Sequence, residues 1–573
     1  MVRHRPLLPE ILQGRAAAEP ANRAYVFLTE HGEEEAVLTY GELHARALAV
    51  ARQLSRGCKP GDRALLLFPQ GLDFIVAYFG CLYAQVIAVP VNPPRKNRMQ
   101  DATRSIVKDC APSAVLTLSA MLESTRESLE PICGALHWFP VDQMVDAVDT
   151  DFDPRPCSAD SVAFLQYTSG STADPKGVMV SHRNLVANQE MIQRAFGHDQ
   201  HSTFVGWAPL FHDQGLIGNV LQPLYLGATS ILMSPMAFIR WPLLWLSAIS
   251  RYRAHTSGGP NFAFDACVAR AARGDLPDLD LSCWKVAFNG AEPIRPETLR
   301  RFSESFASVG FNAQALYPCY GLAEATLLVT GSQKGRGPRT IDADTGELGH
   351  KRYVKAPSGR GRTLVGSGLV CPETSVRIVD PETRRSCPAN QVGEIWVAGE
   401  HVAQGYWRRP EVMAEAFQAE CDGEIGPTYL RTGDLGLVVD GELYIVGRLK
   451  DLLIIRGRNH YPHDIEHTSQ SAHPALRPGG CAAFSVPGAD GEKLVVVQEI
   501  KREERLKVDA TDVAASIRAA ITREHQLSVS DLVLTLPGRL QKTSSGKIMR
   551  AAARRRYLEA GFDLWAPRTQ SVA

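Results

Sequence analysis

The 573-residue chain lacks several features that would have indicated its partners directly. Its 62 Lys and Arg residues are balanced by 62 Asp and Glu residues, so it has no basic excess and we expect no nucleic-acid partner. Its 12 cysteines include no C-x-x-C pair, which is typical of reduced residues in a large cytoplasmic protein. The first residues contain no sustained apolar run, so we expect no signal peptide.

Long apolar runs are also scarce. One uncharged run of 21 residues, Phe74–Pro94, would be long enough to cross a membrane. Glycine, glutamine and proline residues interrupt it, so we expect no membrane span. The sequence instead predicts a buried helix over Asp73–Gln85 and a buried strand over Val86–Val91.

The order of apolar segments predicts an α/β fold. Strand candidates alternate with helical patterns, which indicates largely parallel sheets; the clearest are Ala64–Phe68, Ala114–Leu118, Thr229–Met233, Lys285–Asn289 and the helix Arg240–Ser250. After Ser375 the pattern becomes β-rich, with a hairpin around Asp440-Gly441. We predict a large domain, residues 1–448, of two packed α/β sheets plus a β-rich subdomain, and a small α+β domain, residues 449–573.

One loop concentrates residues that bind anions. The stretch YTSGSTADPKGVMVSH (Tyr167–His182) combines glycines, hydroxyl side chains and Lys176, and small residues let backbone N–H groups approach an anion closely. The Asp-Pro pair alone would indicate a surface turn. However, a buried strand precedes the loop and a helix capped by Ser181 follows it, which is the geometry of many phosphate sites. The loop lacks the second glycine of a Walker A motif, so we expect a triphosphate site without a P-loop.

Five further segments become informative when they are read together. They are NGAEPI (289–294), YPCYGLAEAT (317–326), YLRTGDLG (429–436), GRLKD (447–451) and KTSSGKIMR (542–550). Singly, each is typical of a turn or a core segment. In this order after the loop, they resemble the adenylate-forming superfamily of acyl and aryl CoA synthetases, adenylation domains and luciferase, over nearly the full chain.

Longer segments narrow the resemblance to fatty acyl-AMP ligases, which activate fatty acids for polyketide or nonribosomal peptide synthases. Among these segments are PLFHDQGLIGNVLQPLYLG, SGGPNFAFD and RGRNHYPHDIE. That subfamily carries an insertion in its large domain. Here the basic stretch Gln333–Arg362, with eight Lys and Arg against three Asp and Glu, lies where the insertion would be and reads as a long loop. Gln214 and LVGSG (364–368) depart from the subfamily pattern.

The resemblance implies a reaction and its cofactors. A fatty-acid carboxylate would attack the α-phosphorus of ATP, giving acyl-AMP and pyrophosphate, with Mg²⁺ as the metal. The acyl group would then pass to the phosphopantetheine thiol of an acyl carrier protein. Because the chain ends soon after GFDLWAP, we expect this carrier protein to act in trans.

The resemblance also implies roles for individual residues. Lys547, at the end of a loop that opens a helix, would bridge the carboxylate and the α-phosphate, and Glu324 would bind Mg²⁺ with Thr172 as a second ligand. Tyr320 would stack on adenine, and Asp434, on a glycine-flanked turn, would bind the ribose with support from Arg448. The remaining ATP/AMP-binding candidates are Thr168, Ser169, Gly170, Ser171, Lys176, Gly290, Ala291, Glu292 and Gly321.

Further predictions concern the substrate and domain motion. The acyl pocket candidates are Trp207, Phe211, His212, Leu216 and Ile217, although most of these would be core residues in any protein. By resemblance, Lys450 is the hinge of a rotation of the small domain, and the insertion Gln333–Arg362 packs between the domains and favours one rotation state. The run Lys542, Lys547, Arg550 and Arg554–Arg556 contains no acid and predicts a docking edge for an acidic carrier protein, with a solvated helix face as the alternative.

Three alternatives to a ligase that serves a carrier protein remain at this point. The chain could be a CoA ligase, an amino-acid adenylation domain, or a catalytically dead nucleotide or lipid binder. The retention of Lys547, Glu324 and Asp434 argues against the last of these. His460, His463 and His467 resemble a metal cluster in spacing, but a zinc site needs three or four ligands and supporting contacts.

Overall fold

The computed structural model describes residues 5–93, 101–144, 153–168, 175–274, 276–357, 360–423, 425–488, 491–543, 546–565 and 569–570. In chain order the strands are β1 (Arg23–Leu28), β2 (Glu34–Thr39), β3 (Arg63–Leu66), β4 (Ile87–Pro90), β5 (Ala114–Thr117), β6 (His137–Pro140), β7 (Val162–Thr168), β8 (Lys176–Ser181), β9 (Phe204–Gly206), β10 (Ser230–Met233), β11 (Thr256–Gly259), β12 (Val286–Asn289), β13 (Leu316–Gly321), β14 (Leu328–Gly331), β15 (Thr340–Ala343), β16 (Arg362–Val370), β17 (Ser375–Val379), β18 (Gly393–Ala398), β19 (Leu430–Val439), β20 (Glu442–Arg448), β21 (Leu453–Ile455), β22 (Arg458–His460), β23 (Leu476–Gly488), β24 (Gly491–Ile500), β25 (Val529–Thr535) and β26 (Thr569–Gln570).

The α-helices flank these strands. They are α1 (Leu8–Ala18), α2 (Tyr40–Gly57), α3 (Leu72–Ala84), α4 (Asp101–Cys110), α5 (Ser119–Cys133), α6 (His182–Phe196), α7 (Gln222–Leu226), α8 (Pro235–Arg240), α9 (Pro242–Arg251), α10 (Asn261–Ala271), α11 (Pro296–Phe306), α12 (Thr345–Gly349), α13 (Pro410–Ala416), α14 (Pro462–Ser471), α15 (Ala510–His525) and α16 (Arg550–Leu558). A π-helix covers Gln214–Leu221, and short 3₁₀ turns include Ala323–Ala325 and Leu449–Asp451.

Two large sheets form most of the fold. One has six strands in the order β6-β5-β3-β4-β7-β8, and only its last pair is antiparallel. The other has fourteen strands in the order β17-β18-β19-β20-β16-β14-β13-β12-β11-β9-β10-β1-β2, with β15 beside β16. The α/β prediction is confirmed. The β-rich segment is a continuation of the second sheet, because β14 pairs antiparallel with β13 at the edge of its parallel part.

Residues from 449 onward, called here the small region, form two sheets of their own. One is the pair β21-β22 and the other has the order β23-β24-β25-β26. Helices α14 and α15 pack on the second sheet around a buried aliphatic cluster that includes Ile465, Val496 and Ile517. The small region therefore has a packed core of its own, and this core can hold side chains rigidly against the large region (residues 5–448).

Local sequence explains several element boundaries. Helix α6 begins after Ser181, whose hydroxyl accepts a hydrogen bond from the Asn184 amide, as predicted. The predicted hairpin turns at Asp440 (φ 51°) and Gly441 (φ 78°), both left-handed as a type I′ turn requires. The helix expected over 240–250 instead begins at Pro242. Helical dihedrals are disfavoured for the residue before a proline, and Trp241 accordingly has non-helical angles (φ −134°, ψ 75°).

The uncharged run is a buried helix followed by a strand, as predicted. Every residue of α3 except Asp73 is buried, and β4 lies inside the six-stranded sheet. Within the described ranges, no helix is both long enough and apolar enough to span a membrane.

Candidate active site

The anion-binding loop connects two antiparallel strands, which corrects one prediction. Residues 176–181, expected to be loop, form β8, so the geometry is strand, loop, strand rather than strand, loop, helix. The reason is that GVMV supplies apolar and β-branched residues that pair with β7. Thr168 pairs with Lys176 across the base of this hairpin. The candidates Ser169, Gly170, Ser171 and Thr172 lie outside the described residues.

Lys176 is linked to the candidate metal ligand, Glu324, by a tyrosine that contacts both side chains. Its ammonium is 4.8 Å from the centroid of the Tyr406 ring, and the Tyr406 hydroxyl donates a hydrogen bond to Glu324 Oε1 (2.9 Å). Loss of solvation raises the pKa of Glu324, and the hydrogen bond from Tyr406 opposes this shift. A poorly solvated carboxylate beside a phosphate loop suits a hard divalent cation, so Glu324 fits a Mg²⁺ ligand. No sequence pattern had indicated Tyr406.

Tyr320, Asp434 and Arg448 form one hydrogen-bonded group. The Tyr320 hydroxyl donates to Asp434 Oδ2 (2.8 Å), and Arg448 Nε donates to Asp434 Oδ1 (2.9 Å). Asp434 was expected on a turn, but it lies within β19, directly opposite Arg448 on β20. Gly433 before it takes a left-handed φ of 71°, and this kink in an otherwise continuous strand resembles a turn in the sequence. Each carboxylate oxygen keeps a second lone pair that can accept a hydroxyl.

Residues Gly290–Glu292 follow the carboxyl end of β12, beside Tyr320 on the neighbouring strand β13. A side chain at Gly290 would meet the Cys319 sulfur at 3.0 Å, and Ala291 takes a left-handed φ of 69°. Glu292 Oε1 accepts a hydrogen bond from the Phe262 amide (2.6 Å) at the start of α10. Glu292 therefore fixes the turn against α10 as well as lying at the site.

Gly321 is required by close packing of the backbone. A Cβ atom there would lie 1.7 Å from the Leu327 carbonyl oxygen, which no side chain could tolerate. This glycine allows the segment after β13 to fold back tightly and places Glu324 near Tyr406.

Lys547 extends from the small region toward these groups. Burial by surrounding protein and repulsion from Arg448 lower the pKa of Lys547, whereas Asp213, Asp434 and Glu292 act in the opposite direction. Lys547 therefore interacts electrostatically with Arg448 and the three carboxylates of the large region, while the residue itself stays exposed to solvent. These interactions link charged groups of the two regions.

The loop that carries Lys547 ends later than predicted. Helix α16 begins at Arg550, three residues after Lys547, because backbone pairing between Lys542 and Ile548 extends the loop. The Lys547 amide donates to Thr543 Oγ1 (3.1 Å), and the Thr543 amide donates to the Lys547 carbonyl (2.8 Å). These bonds close a short turn, so Lys547 is held by a loop rather than by a helix end.

The five acyl-pocket candidates do not share one wall. Trp207 stacks on Phe238 at 4.0 Å within one buried cluster. Leu216 and Ile217, on the π-helix, are fully buried in the other main cluster. Phe211 and His212 lie between them on the turn that precedes the π-helix, with ring centroids 4.8 Å apart.

His212 is the pocket candidate that interacts electrostatically with Lys547. Its Nε2 atom is buried and has no hydrogen-bond partner in the described structure. Burial lowers the pKa of His212; Asp213 opposes this effect and Lys547 adds to it. A neutral imidazole beside Lys547 can donate or accept a hydrogen bond to a ligand, but it carries no charge at neutral pH.

The three spaced histidines do not form a metal centre. Arg362 Nη2 donates to His463 Nε2 (2.8 Å), and Arg295 Nη1 donates to His467 Nδ1 (2.5 Å). Burial lowers the pKa of His460, His463 and His467 to about 4 each. Among the residues that the structure describes, no group of three His, Cys, Asp or Glu side chains could hold a metal ion.

The stretch Gln333–Arg362 is more ordered than expected. It contains β15 and α12, and β15 pairs with β16 where a long loop was predicted. The strand has only 4 residues, which is too short for its alternation to stand out in the sequence. Leu348 from this stretch and Tyr461 from the small region share a buried cluster, and the side-chain Nδ2 of Asn459 donates to the Gly349 carbonyl (3.0 Å). The stretch therefore touches the small region.

Comparisons with known proteins agree with this arrangement. The family model of the AMP-binding enzymes matches residues 12–407, and the model of the AMP domain of Disco-interacting protein 2-like proteins matches residues 450–565. The medium-chain-fatty-acid–[acyl-carrier-protein] ligase JamA of Moorena producens is 43% identical and covers 98% of this chain and 97% of its own. The long-chain-fatty-acid–AMP ligase FadD26 of Mycobacterium marinum is 40% identical, covering 97% and 98%.

Solved structures extend the similarity to three dimensions. The fatty acid AMP ligase of Legionella pneumophila shares 40% identity and a TM-score of 0.76, with 98% of each chain covered. A fatty acyl-adenylate ligase from a study of the E. coli and L. pneumophila enzymes has a TM-score of 0.86 at 32% identity, covering 97% of this chain and 98% of that one. The predicted resemblance is confirmed, and the chain belongs to the AMP-binding enzyme family, among its fatty acyl-AMP ligases.

Proposed function

We propose that this protein converts a fatty acid and ATP to acyl-AMP and pyrophosphate, and then transfers the acyl group to the phosphopantetheine thiol of an acyl carrier protein. The observation that carries this proposal is the hydrogen-bonded group of Tyr320, Asp434 and Arg448 in the large region, with which Lys547 of the small region interacts electrostatically. The names of the relatives, fatty-acid–[acyl-carrier-protein] ligase and fatty-acid–AMP ligase, support both half-reactions.

The nucleotide would bind at the carboxyl ends of β12 and β13, where ligands bind in parallel sheets. Adenine would lie between the Tyr320 ring and the turn Gly290–Glu292. The hydrogen bond from Tyr320 to Asp434 fixes the ring, and Asp434 can still accept the ribose hydroxyls while Arg448 holds its carboxylate. Gly321 contributes by its tight packing.

The triphosphate would lie along the β7–β8 hairpin. Thr168 and Lys176 stand at its base, and residues 169–172 would supply the N–H and hydroxyl donors. Glu324, with Thr172 as a second ligand, would hold Mg²⁺, which would supply positive charge to neutralise the triphosphate. Lys176 would add positive charge there, and its ammonium lies over the Tyr406 ring.

Positioning and neutralisation of charge account for the adenylation step. The substrate carboxylate is already a nucleophile, so no general base is needed; its difficulty is approaching a polyanion. Lys547 would contact both the carboxylate and the α-phosphate as charge develops at phosphorus. Trp207, Phe211, His212, Leu216 and Ile217 remain the proposed acyl-binding residues, with His212 close to the reacting carboxylate.

Transfer to a thiol would require the small region, residues 449–573, to rotate as a domain about Lys450. Lys450 is exposed in the short turn Leu449–Asp451, between the last strand of the large region and β21. The insertion Gln333–Arg362 would favour one rotation state through its contacts with the small region. About 3 kcal/mol of such differential contact shifts the two populations by more than a hundredfold.

The carrier protein would dock on the basic face of α16. Arg554 and Arg555 are exposed there, and Arg554 Nε donates to the Ser485 carbonyl (3.0 Å), which leaves its charge unneutralised by that contact. An acidic carrier protein complements such a surface. We place the enzyme, its fatty-acid substrate and its carrier protein in the cytoplasm.

A fatty acid–CoA ligase is the second candidate, because the two enzymes share the adenylation step. The ordered insertion and its contacts with the small region favour the carrier-protein ligase. An amino-acid adenylation domain is less favoured, since a solved structure with phenylalanyl-adenylate shares only 23% identity with the chain, against 40% for a fatty acid AMP ligase.

Trapping of labelled AMP with fatty acids of graded chain length tests the proposal. We expect acyl-AMP without any acceptor, thioester formation with a phosphopantetheinylated carrier protein, and little acyl-CoA. Rapid consumption of the adenylate by CoA would instead identify a CoA ligase. Absence of acyl-AMP with every fatty acid would refute both.

A further inference from the structure

Arg550 forms the strongest polar cluster near the proposed catalytic loop. Its Nη1 donates to Asp451 Oδ2 (2.6 Å), and its Nε and Nη2 donate to Glu466 Oε1 (2.7 Å) and Oε2 (2.8 Å). All three side chains are at least three-quarters shielded from solvent, with exposures of 24%, 21% and 10% for Arg550, Asp451 and Glu466. Bidentate guanidinium–carboxylate pairs of this kind are strong and directional.

The partners of Arg550 come from distant parts of the sequence. Arg550 is the first residue of α16 and lies three positions after Lys547. Asp451 is the last residue of the turn that contains Lys450. Glu466 lies on α14 and also accepts a hydrogen bond from the Ala483 amide on β23 (3.0 Å). The cluster therefore joins the chain at the proposed hinge to the loop that carries Lys547.

The two sides of the hinge are fixed by separate ion pairs. On the large side, Arg448 is paired with Asp434 at 2.9 Å and lies in the β19–β20 ladder. On the small side, Asp451 is held by Arg550. Only Leu449 and Lys450 lie between these two fixed points, so a change of backbone angle there is transmitted directly to Arg550 and its neighbour Lys547.

We propose that Arg550 is a positioning residue that clasps the hinge segment to the catalytic loop, so that the rotation state of the small region sets the position of Lys547. The inference rests on the proposed role of Lys547 in adenylation. It requires no contact between Arg550 and substrate. Loss of the clasp would leave the small region folded but would let the Lys547 loop move independently of the hinge.

Asp451→Asn tests the clasp with least risk to folding, because it removes the negative charge of one limb and leaves the Glu466 pair intact. Misplacement of a catalytic group by about 1 Å costs up to about 100-fold in rate, so we expect the kcat of acyl-AMP formation to fall by about 10-fold or more. The KM for ATP should stay within about twofold of wild type, because nucleotide contacts lie on the large region. Transfer from supplied acyl-AMP to a carrier protein should change less than about threefold, since it does not need Lys547.

Arg550→Lys and Arg550→Gln extend the test. Lysine keeps the charge but loses the planar fork, so its kcat should lie between those of wild type and glutamine. The effect of Asp451→Asn should largely vanish in the Arg550→Gln background, because both changes remove the same bond. Arg46→Gln is the matched control: Arg46 pairs with Asp73 at 2.5 Å with 23% and 35% exposure, in α2 and α3 of the large region.

Lys547→Ala, measured in parallel, separates the two claims. If Lys547→Ala stays active, the proposed function of Lys547 fails. If Lys547→Ala is inactive while Asp451→Asn and Arg550→Gln adenylate at the wild-type rate, the clasp is refuted. Equal losses in both half-reactions, tracking the melting temperature as for Arg46→Gln, would also refute it, because a structural role alone would produce that result.

Discussion

Arg362 is the side chain through which the insertion most directly touches the small region. Its Nη1 lies 3.1 Å from Asp464 Oδ2, and its Nη2 donates to His463 Nε2 (2.8 Å) and to the Val446 carbonyl (3.1 Å). The guanidinium is also 5.0 Å from the centroid of the Tyr461 ring. Only 16% of the side chain is exposed, so solvent screens these contacts poorly.

Arg362→Gln should therefore release the small region from its present orientation. Hydrogen bonds to charged groups contribute about 1.5–3 kcal/mol each, and part of this is regained by glutamine and water. A net loss of about 2 kcal/mol, confined to one rotation state, changes the population ratio by about 30-fold. We expect the rate of acyl-CoA formation to rise toward that factor, while acyl-AMP formation falls by less.

The assay is the appearance of acyl-CoA from fatty acid, ATP and CoA, followed by mass spectrometry. Arg360→Gln, which neutralises an exposed arginine in the same insertion, is the control and should behave as wild type. Deletion of Gln333–Arg362 is a poorer test, because Ala343 and Leu348 belong to a buried cluster and β16 would lose its pairing with β15. If Arg362→Gln folds, adenylates and makes no more acyl-CoA than wild type, insertion contacts do not exclude CoA, and the shape of the thiol path must do so.

Three further predictions follow from the site. Asp434→Ala should raise the KM for ATP more than it lowers kcat, because ribose contacts are present in ground and transition states alike; a pure kcat effect in initial-rate kinetics would contradict this role. Lys450→Pro should slow mainly the half-reaction whose backbone angles proline forbids, as measured by separate adenylation and transfer assays, and equal loss in both would indicate misfolding. Arg554→Glu with Arg555→Glu should weaken transfer to an acidic carrier protein in titrations while acyl-AMP formation stays unchanged, and unaltered transfer would remove this surface from the docking edge.

Much of the fold could be predicted because the periodicity of apolar residues is strong in its central strands and helices. Helix α3 and strand β4 are buried on all sides and appear in the sequence as one uncharged run. The hairpin at Asp440-Gly441 was predictable because its left-handed positions favour those residues. Strand β8 was missed because it follows the glycine-rich loop directly and is short, so its residues were assigned to that loop.

The site was predictable only in part. Tyr320, Glu324 and Asp434 lie in motifs with fixed order, and the structure places Tyr320 and Asp434 in contact. The contacts of Tyr406 and Arg550 could not be predicted from the spacing of residues, since their partners are 82 and up to 99 residues away along the chain. Such contacts depend on how β13, α14 and the hinge segment pack together, which local sequence does not encode.

The central claim is that Lys547 brings the positive charge needed for adenylation into a site built by the large region. Its most direct test is the rate of acyl-AMP formation by Lys547→Ala, measured with saturating ATP and fatty acid and no acceptor, alongside ATP affinity by calorimetry. Removal of one group that stabilises transition-state charge costs about 10²–10³ in rate, so we predict a loss of that size with ATP affinity nearly unchanged. Adenylate formation at a near-normal rate by a folded Lys547→Ala protein would contradict the account.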